Sequence, residues 1–317
     1  MTFVLFFVGF YILIKAANVL VDSASWIASH FKISSLIIGL LVVGVGTSIP
    51  EFSVTFLSNL LAGKSAVGLG AVVGSNTFNI LFILGFAAIV RPIVFRKEWI
   101  EEDLWWNVFA VALFALLAFF SINEGKETII GRADGIILLT AFAVWLFYIL
   151  HFASNEDDEK AHVARLLTFP LAAGMLLAGL AGVLLGAKWV IDGAISLAAF
   201  LGMSEAFIGL TIIGIGTSLP ELVVSVTAAR HGETGIALGN IIGSNIFDFL
   251  MIIGLSAFVR PIIFEPKLYL DTLVTLFVTL LLLFSMYIGE RNTLTRKKGL
   301  LFVAAYCIYV WALIVRG

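Results

Sequence analysis

The sequence predicts an all-α polytopic membrane protein: ten transmembrane helices arranged as two inverted five-helix repeats, with broken helices at the midplane. Three observations carry that expectation. The first is composition: 61% of the 317 residues are hydrophobic and 13% charged, with a mean hydropathy of +1.10, far outside soluble-domain usage. The second is the recurrence of apolar segments about 20 residues long, the length a helix needs to cross ~30 Å of hydrocarbon. The third is a motif that stands once in each half of the chain.

The segments fall near 3–29, 34–61, 66–90, 103–122, 132–152, 165–200, 206–230, 235–259, 268–288 and 299–315. The first has no basic residue before it and no small-residue cleavage site leading to a soluble domain, so it reads as a retained helix and not as a removed signal peptide. It and the sixth are long enough to tilt. The second contains "GVGTSIPEF" (Gly44 to Phe52), where Glu51 is the only charge between Lys32 and Lys64. The third carries "GSNTFN" (Gly74 to Asn79) and ends in "VRPIVF" (Val90 to Phe95). The fourth begins among Trp99, Trp105 and Trp106, the aromatic anchors of a membrane interface. The fifth runs into a short charged link, "SNEDDEKAHVAR", with no room for a regulatory domain. The first repeat is therefore 1–153, the link 154–164 and the second repeat 165–317. The seventh holds "GIGTSLPEL" (Gly214 to Leu222), and the eighth holds "GSNIFD" (Gly243 to Asp248) and ends in "VRPIIF" (Val259 to Phe264). The ninth and tenth rest on hydropathy; the tenth contains Cys307, the single cysteine, so no internal disulfide forms.

The two halves superpose in sequence. Asp22 falls on Asp192 and Gly44–Glu51 on Gly214–Glu221 at a shift of 170; from the GSN motif onward the shift is 169. Five segments per half is an odd number, so the second copy enters the membrane from the opposite face, as in inverted-repeat transporters. Loops after the odd-numbered segments hold eleven Lys and Arg against six on the other side, which places both termini outside a cell membrane.

The motif concentrates oxygen. Pro50 and Pro220 remove a backbone donor, and Gly44, Gly46, Gly214 and Gly216 stand just upstream, so each helix should break there. Helical spacing puts Thr47 and Ser48 with Glu51, Thr217 and Ser218 with Glu221, Ser75 with Asn79, and Ser244 with Asp248. An ionised carboxylate in hydrocarbon costs ~3 kcal/mol or more. No Arg, Lys or His lies within the four motif stretches, so a bound cation is the expected compensation. Oxygen ligands without Cys or His suit hard ions such as calcium, and sodium accepts the same oxygens: two carboxylates suit a divalent ion, and hydroxyls with carbonyls suit sodium.

Other features have plainer readings. Asn76, Asn240 and Asn245 read as interhelical glue. "GLGAVVG" (Gly68 to Gly74) reads as close helix packing, since it lacks dinucleotide spacing and a preceding strand. "GKS" at Gly63 to Ser65 is no phosphate loop, because the upstream position needing glycine is Ser58. Lys188 and Asp192 read as an ion pair at helical spacing, with Asp22 the counterpart acid. The four histidines form no metal cluster or proton relay.

The paired "GTSIPE…GSNTFN" and "GTSLPE…GSNIFD" segments resemble the two alpha-repeats of the calcium/cation antiporter superfamily, in particular its prokaryotic sodium/calcium exchangers. The resemblance covers all ten segments. It implies that Glu51 and Glu221 ligate calcium with carbonyls near Thr47 and Thr217, and that Asn79 and Asp248 complete the set. It implies sodium sites using Thr47, Ser48, Ser75 and Glu51 on one side and Thr217, Ser218, Ser244 and Glu221 on the other, joined by carbonyls around Gly44 and Gly214. The long first and sixth helices would form a sliding gate. An acid at Asp248, where the repeat mate is Asn79, can accompany potassium dependence. Proton-coupled relatives place a glutamate on the helix of Asn79 and Asp248, a pattern absent here, which favours sodium over protons.

The expected function is thus sodium/calcium exchange by alternating access, with proton/calcium exchange, potassium-dependent exchange and a cation channel as alternatives. A channel needs several subunits round a pore, whereas two inverted halves close a site within one chain, so no oligomer is required. An intramembrane protease lacks its His base and paired aspartates, and an ATP-driven pump lacks a nucleotide domain. No cofactor and no nucleic acid are expected; the partners are the lipid bilayer and the transported calcium and sodium.

Overall fold

Long apolar runs give helices, and the few breakers set where those helices stop. The computed structural model describes residues 2–60, 65–120, 128–152, 168–200 and 214–316. Among them eight helices are long and apolar enough to cross a membrane, and a bent pair makes a ninth span. Helix α1 (Thr2–Phe31) takes the first segment. The bent pair α2 (Ser35–Thr47) and α3 (Ile49–Leu60) takes the second. Helix α4 runs from Ser65 to Val90. Helix α5 (Lys97–Phe120) starts before 103 because Trp99 and Ile100 are already buried. Helices α6 (Arg132–Phe152) and α7 (Phe169–Phe200) follow. The start of segment 206–230 and the link 154–164 lie outside the described residues. The described part of that segment is a turn at Gly214–Gly216 and helix α8 (Leu219–His231). Helices α9 (Thr234–Val259), α10 (Leu268–Ser285) and α11 (Arg296–Arg316) complete the chain.

Two features go beyond the all-α expectation. Strand β1 (Ile93–Val94) pairs antiparallel with β4 (Thr293–Leu294), and β2 (Thr128–Ile130) with β3 (Ile262–Phe264). The repeated VRPIVF and VRPIIF stretches therefore each run from the last helical residue, Val90 or Val259, past a proline into a short strand. Among the described residues three helices also contain wide π turns, at Gly39–Gly44, Asn79–Leu84 and Phe247–Ile252. Such turns are rare and concentrate at functional sites.

The chain folds as two compact units, each drawing on both sequence halves. The first comprises Met1–Pro50 and Ser154–Ile241, the second Glu51–Ala153 and Ile242–Gly317.

In the first unit α1 packs along α7 through small residues. A Cβ added at Gly179 would stand 2.8 Å from the Leu20 nitrogen, and one at Gly186 2.7 Å from the Leu13 nitrogen. Without side chains there, the two backbones approach closely. Two polar contacts tie α1 to the end of α8: His231 Nδ1 lies 3.1 Å from Asp22 Oδ1, and Ser25 donates to Glu233 Oε1 at 2.7 Å. Lys188 pairs with Asp192 at 2.6 Å, as their spacing implied. Helix α2 crosses the start of α9 at Gly39, Gly235 and Gly239.

The second unit is built on exchanges between the repeats. Helix α11 packs on the last turns of α4, while α6 packs on the last turns of α9. Gly85 and Gly254, repeat mates, each mark such a contact: a Cβ at Gly85 would meet the Gly299 carbonyl at 3.0 Å, and one at Gly254 would meet Leu138 at 3.1 Å. The two β ladders repeat the exchange, since β1 of the first repeat pairs with β4 of the second and β3 of the second with β2 of the first.

Candidate functional site

Proline sets where both motif helices restart. Pro50 and Pro220 have no N–H to give the carbonyls of Gly46 and Gly216, one turn upstream. The backbone leaves helical geometry at Ser48 (φ −78°, ψ 7°) and Ser218 (φ −93°, ψ 10°), and the chain bends by 47° at the first break. Glu51 and Glu221 then fall in the first turn of α3 and α8. Unsatisfied N–H groups and the helix dipole favour negative charge there. The S-x-x-E spelling is that of a capping box, yet Ser218 makes no cap bond with its side chain.

In the first unit, Thr47 and Ser48 face the carboxyl group of Glu221. All three are buried. Apart from those two hydroxyls, no described residue gives either oxygen of Glu221 a side-chain hydrogen bond. Thr47 Oγ1 lies 3.2 Å from the Gly44 carbonyl and 3.0 Å from Asn240 Oδ1. The Gly44 carbonyl also accepts from the Ser48 nitrogen at 3.1 Å. Asn240 Nδ2 donates to Ser225 Oγ at 2.8 Å and to the Glu221 carbonyl at 3.3 Å. Thr217 and Ser218 are buried on the second break, just after Gly214.

In the second unit, Glu51, Ser75, Asn79, Ser244 and Asp248 are all buried. Asn76 Nδ2 donates to Asp248 Oδ2 at 2.9 Å, and Asn79 Nδ2 to Asn245 Oδ1 at 3.1 Å. Asn76 and Asn245 are repeat mates, as are Asn79 and Asp248, so the same pair of positions meets twice, with the donor role reversed in the second contact. The Ser75 hydroxyl gives its hydrogen to the Val72 carbonyl at 3.0 Å, which leaves lone pairs outward. Asn79 Oδ1 is buried without a donor among the described residues. The π turns begin at Asn79 and beside Asp248, moving these side chains off the straight-helix register.

The asparagines read as glue do bridge helices, and three of them reach the motifs. Asn240 and its partner Ser225 carry no signal of their own, since an amide in an apolar helix is the same pattern whatever it holds. No three Asp, Glu, His or Cys side chains gather among the described residues. Few carboxylates amid hydroxyl and amide oxygens make a set for hard cations, and without nitrogen or sulfur it is a poor one for transition metals.

Long apolar helices, helix breaks that bury carboxylates, and oxygens left to accept define a multi-pass membrane transport protein for cations, not an enzyme. The model of the family "Sodium/calcium exchanger protein" matches residues 1–151 and 171–315. The inner membrane protein YrbG of Escherichia coli (strain K12) is 33% identical over 96% of this chain and 94% of its own. The putative antiporter CaxA of Alkalimonas amylolytica is 34% identical over 96% of each chain. The solved structure of the sodium-calcium exchanger NCX_Mj, soaked with 10 mM Na+ and zero Ca2+, superposes with a TM-score of 0.84 at 29% identity, over 98% of this chain and 97% of that one. The chain belongs to the sodium/calcium exchanger family.

Proposed function

We propose that this protein exchanges sodium for calcium across a cell membrane by alternating access, through ten helices in two inverted repeats. Glu51 and Glu221 serve as the calcium carboxylates, with Asn79 and Asp248 completing the set. Thr47, Ser48 and Ser75, and Thr217, Ser218 and Ser244, supply sodium ligands with carbonyls near Gly44 and Gly214. The observation that carries this reading is Glu221: a buried carboxylate whose side-chain donors among the described residues are only the hydroxyls of Thr47 and Ser48, with no basic side chain acting on it. A buried charge in that condition calls for a cation. The reciprocal exchanges of the second unit support the two-fold relation between repeats.

Calcium uptake into proteoliposomes with a sodium, potassium or pH gradient as the only driving force tests the exchange. Uptake is expected with the sodium gradient; uptake driven by the pH gradient alone rejects sodium coupling, and flux indifferent to any counter-ion indicates a channel. In the same assay Asp248→Asn is expected to change which ions support uptake while protein yield stays near native. An unchanged ion profile removes the ionised role of Asp248.

Both termini are proposed to lie outside. Impermeant thiol labelling of a cysteine placed at either end, in a background where Cys307 is replaced by serine, should succeed on intact cells. Labelling only after lysis reverses the orientation.

A further inference from the structure

We infer that Asn240 is a positioning residue that makes Thr47 an obligate oxygen donor to sodium. The inference rests on the reading of Thr47 as a sodium ligand. It follows from an accounting of hydrogens. The Glu221 carbonyl can only accept. Facing it at 3.3 Å, the Asn240 amide must present its NH2 group, which also reaches Ser225 Oγ at 2.8 Å. The reverse orientation would set two carbonyl-type oxygens against each other. The other end of the amide, Oδ1, is thereby fixed towards Thr47 at 3.0 Å. An amide oxygen can only accept, so Thr47 must donate.

A hydroxyl has one hydrogen. Three acceptors surround that of Thr47: Asn240 Oδ1 at 3.0 Å, the Gly44 carbonyl at 3.2 Å, and the Glu221 carboxyl it faces. With Asn240 in place the hydrogen points away from Glu221, and the lone pairs of Oγ1 are left for a cation. Without it, the hydrogen is free to turn to the carboxylate, where it occupies an oxygen and meets an arriving sodium ion with the wrong sign. Asn240 is fully buried, so water does not replace it. Its mate in the first repeat is Ala71, which has no amide. The duplication is broken in sequence at this position.

The test is a double-mutant cycle read as the half-maximal sodium concentration for calcium exchange in proteoliposomes. Asn240→Ala and Thr47→Val are each expected to raise it about fivefold, the scale of one net hydrogen bond, and together to raise it no further than the larger single effect. In a Thr47→Ser background, which keeps the hydroxyl, Asn240→Ala is expected to act in full. Ser225→Ala, which loosens Asn240 without touching Thr47, gives a smaller shift of the same sign and serves if Asn240→Ala does not fold. If Thr47→Val moves the sodium requirement but Asn240→Ala and Ser225→Ala leave it alone or simply add, the positioning role is overturned and the site assignment stands. If Thr47→Val itself leaves the sodium requirement unchanged, Thr47 is no ligand and both readings fall.

Discussion

Glu221→Gln is expected to abolish calcium uptake into sodium-loaded vesicles, and Glu51→Gln to do the same. The substitution keeps volume and removes charge. At Glu221 the side-chain donors among the described residues are only the hydroxyls of Thr47 and Ser48, so the native carboxylate has no charged protein partner to lose. What changes is the field at the cation: a unit negative charge becomes an amide whose NH2 end repels it. Charge-assisted contacts contribute about 3 kcal/mol each in a desolvated site, so a loss of at least about 100-fold in calcium affinity follows. Stability should move the other way. Without calcium the glutamine variant is expected to melt no lower than the native protein, because an uncompensated buried charge has been removed. Added calcium should raise the melting temperature of the native protein and leave that of the variant alone. Near-normal uptake in either variant removes that glutamate from the site, and a variant that melts far lower would make its role structural.

The parts of this design that were legible in the sequence are those governed by a single residue's covalent chemistry. Pro50 and Pro220 lack an N–H wherever they stand, so both breaks could be placed, and they fall two residues upstream at Ser48 and Ser218. Segment ends followed hydropathy closely: 132–152 became Arg132–Phe152 and 235–259 became Thr234–Val259. What depends on a partner far along the chain was not legible. The π turns at Asn79 and Phe247 follow no local composition rule, since "NILFIL" and "FDFLMI" are ordinary helix formers. Strands of two or three residues are too short to show a period of two, so VRPIVF and VRPIIF stood out as repeats and not as strands. Small-residue stripes show the limit most clearly. Gly68 does pack closely, its added Cβ 2.8 Å from the Thr55 Cα, but one at Gly74 would meet nothing within 4 Å. The tighter pair is Gly235 and Gly239 in the other repeat, where the first repeat has Ala66 and Gly70. Asn240 likewise differs from a glue amide only through its three partners, which the folded chain alone brings together.

Gly239→Val is expected to cost more folded protein than any other single change considered. A Cβ at Gly239 would lie 2.8 Å from the Leu40 nitrogen and 2.9 Å from the Gly39 carbonyl carbon, and closer still to the Leu36 carbonyl oxygen. One at Gly39 would lie 3.0 Å from the Gly239 Cα. These are backbone atoms, which no rotamer change can move aside. Overpacking costs ~1–3 kcal/mol where side chains can adjust; here α2 and α9 must part, so about 3 kcal/mol or more is expected. Asn240 follows Gly239 in the chain, so the same displacement draws its amide from Thr47, and any protein that does fold should show the raised sodium requirement of Asn240→Ala. Thermal unfolding in detergent, with yield from the membrane fraction, measures the first effect. Gly74→Ala is the control: it adds a methyl group to a helix interior where nothing stands within 4 Å, and alanine's helix preference of ~1 kcal/mol over glycine should leave stability equal or slightly higher. A Gly239→Val protein as stable as the Gly74→Ala protein would mean that α2 and α9 do not cross on these glycines, and the route by which Asn240 reaches Thr47 would be lost with that crossing.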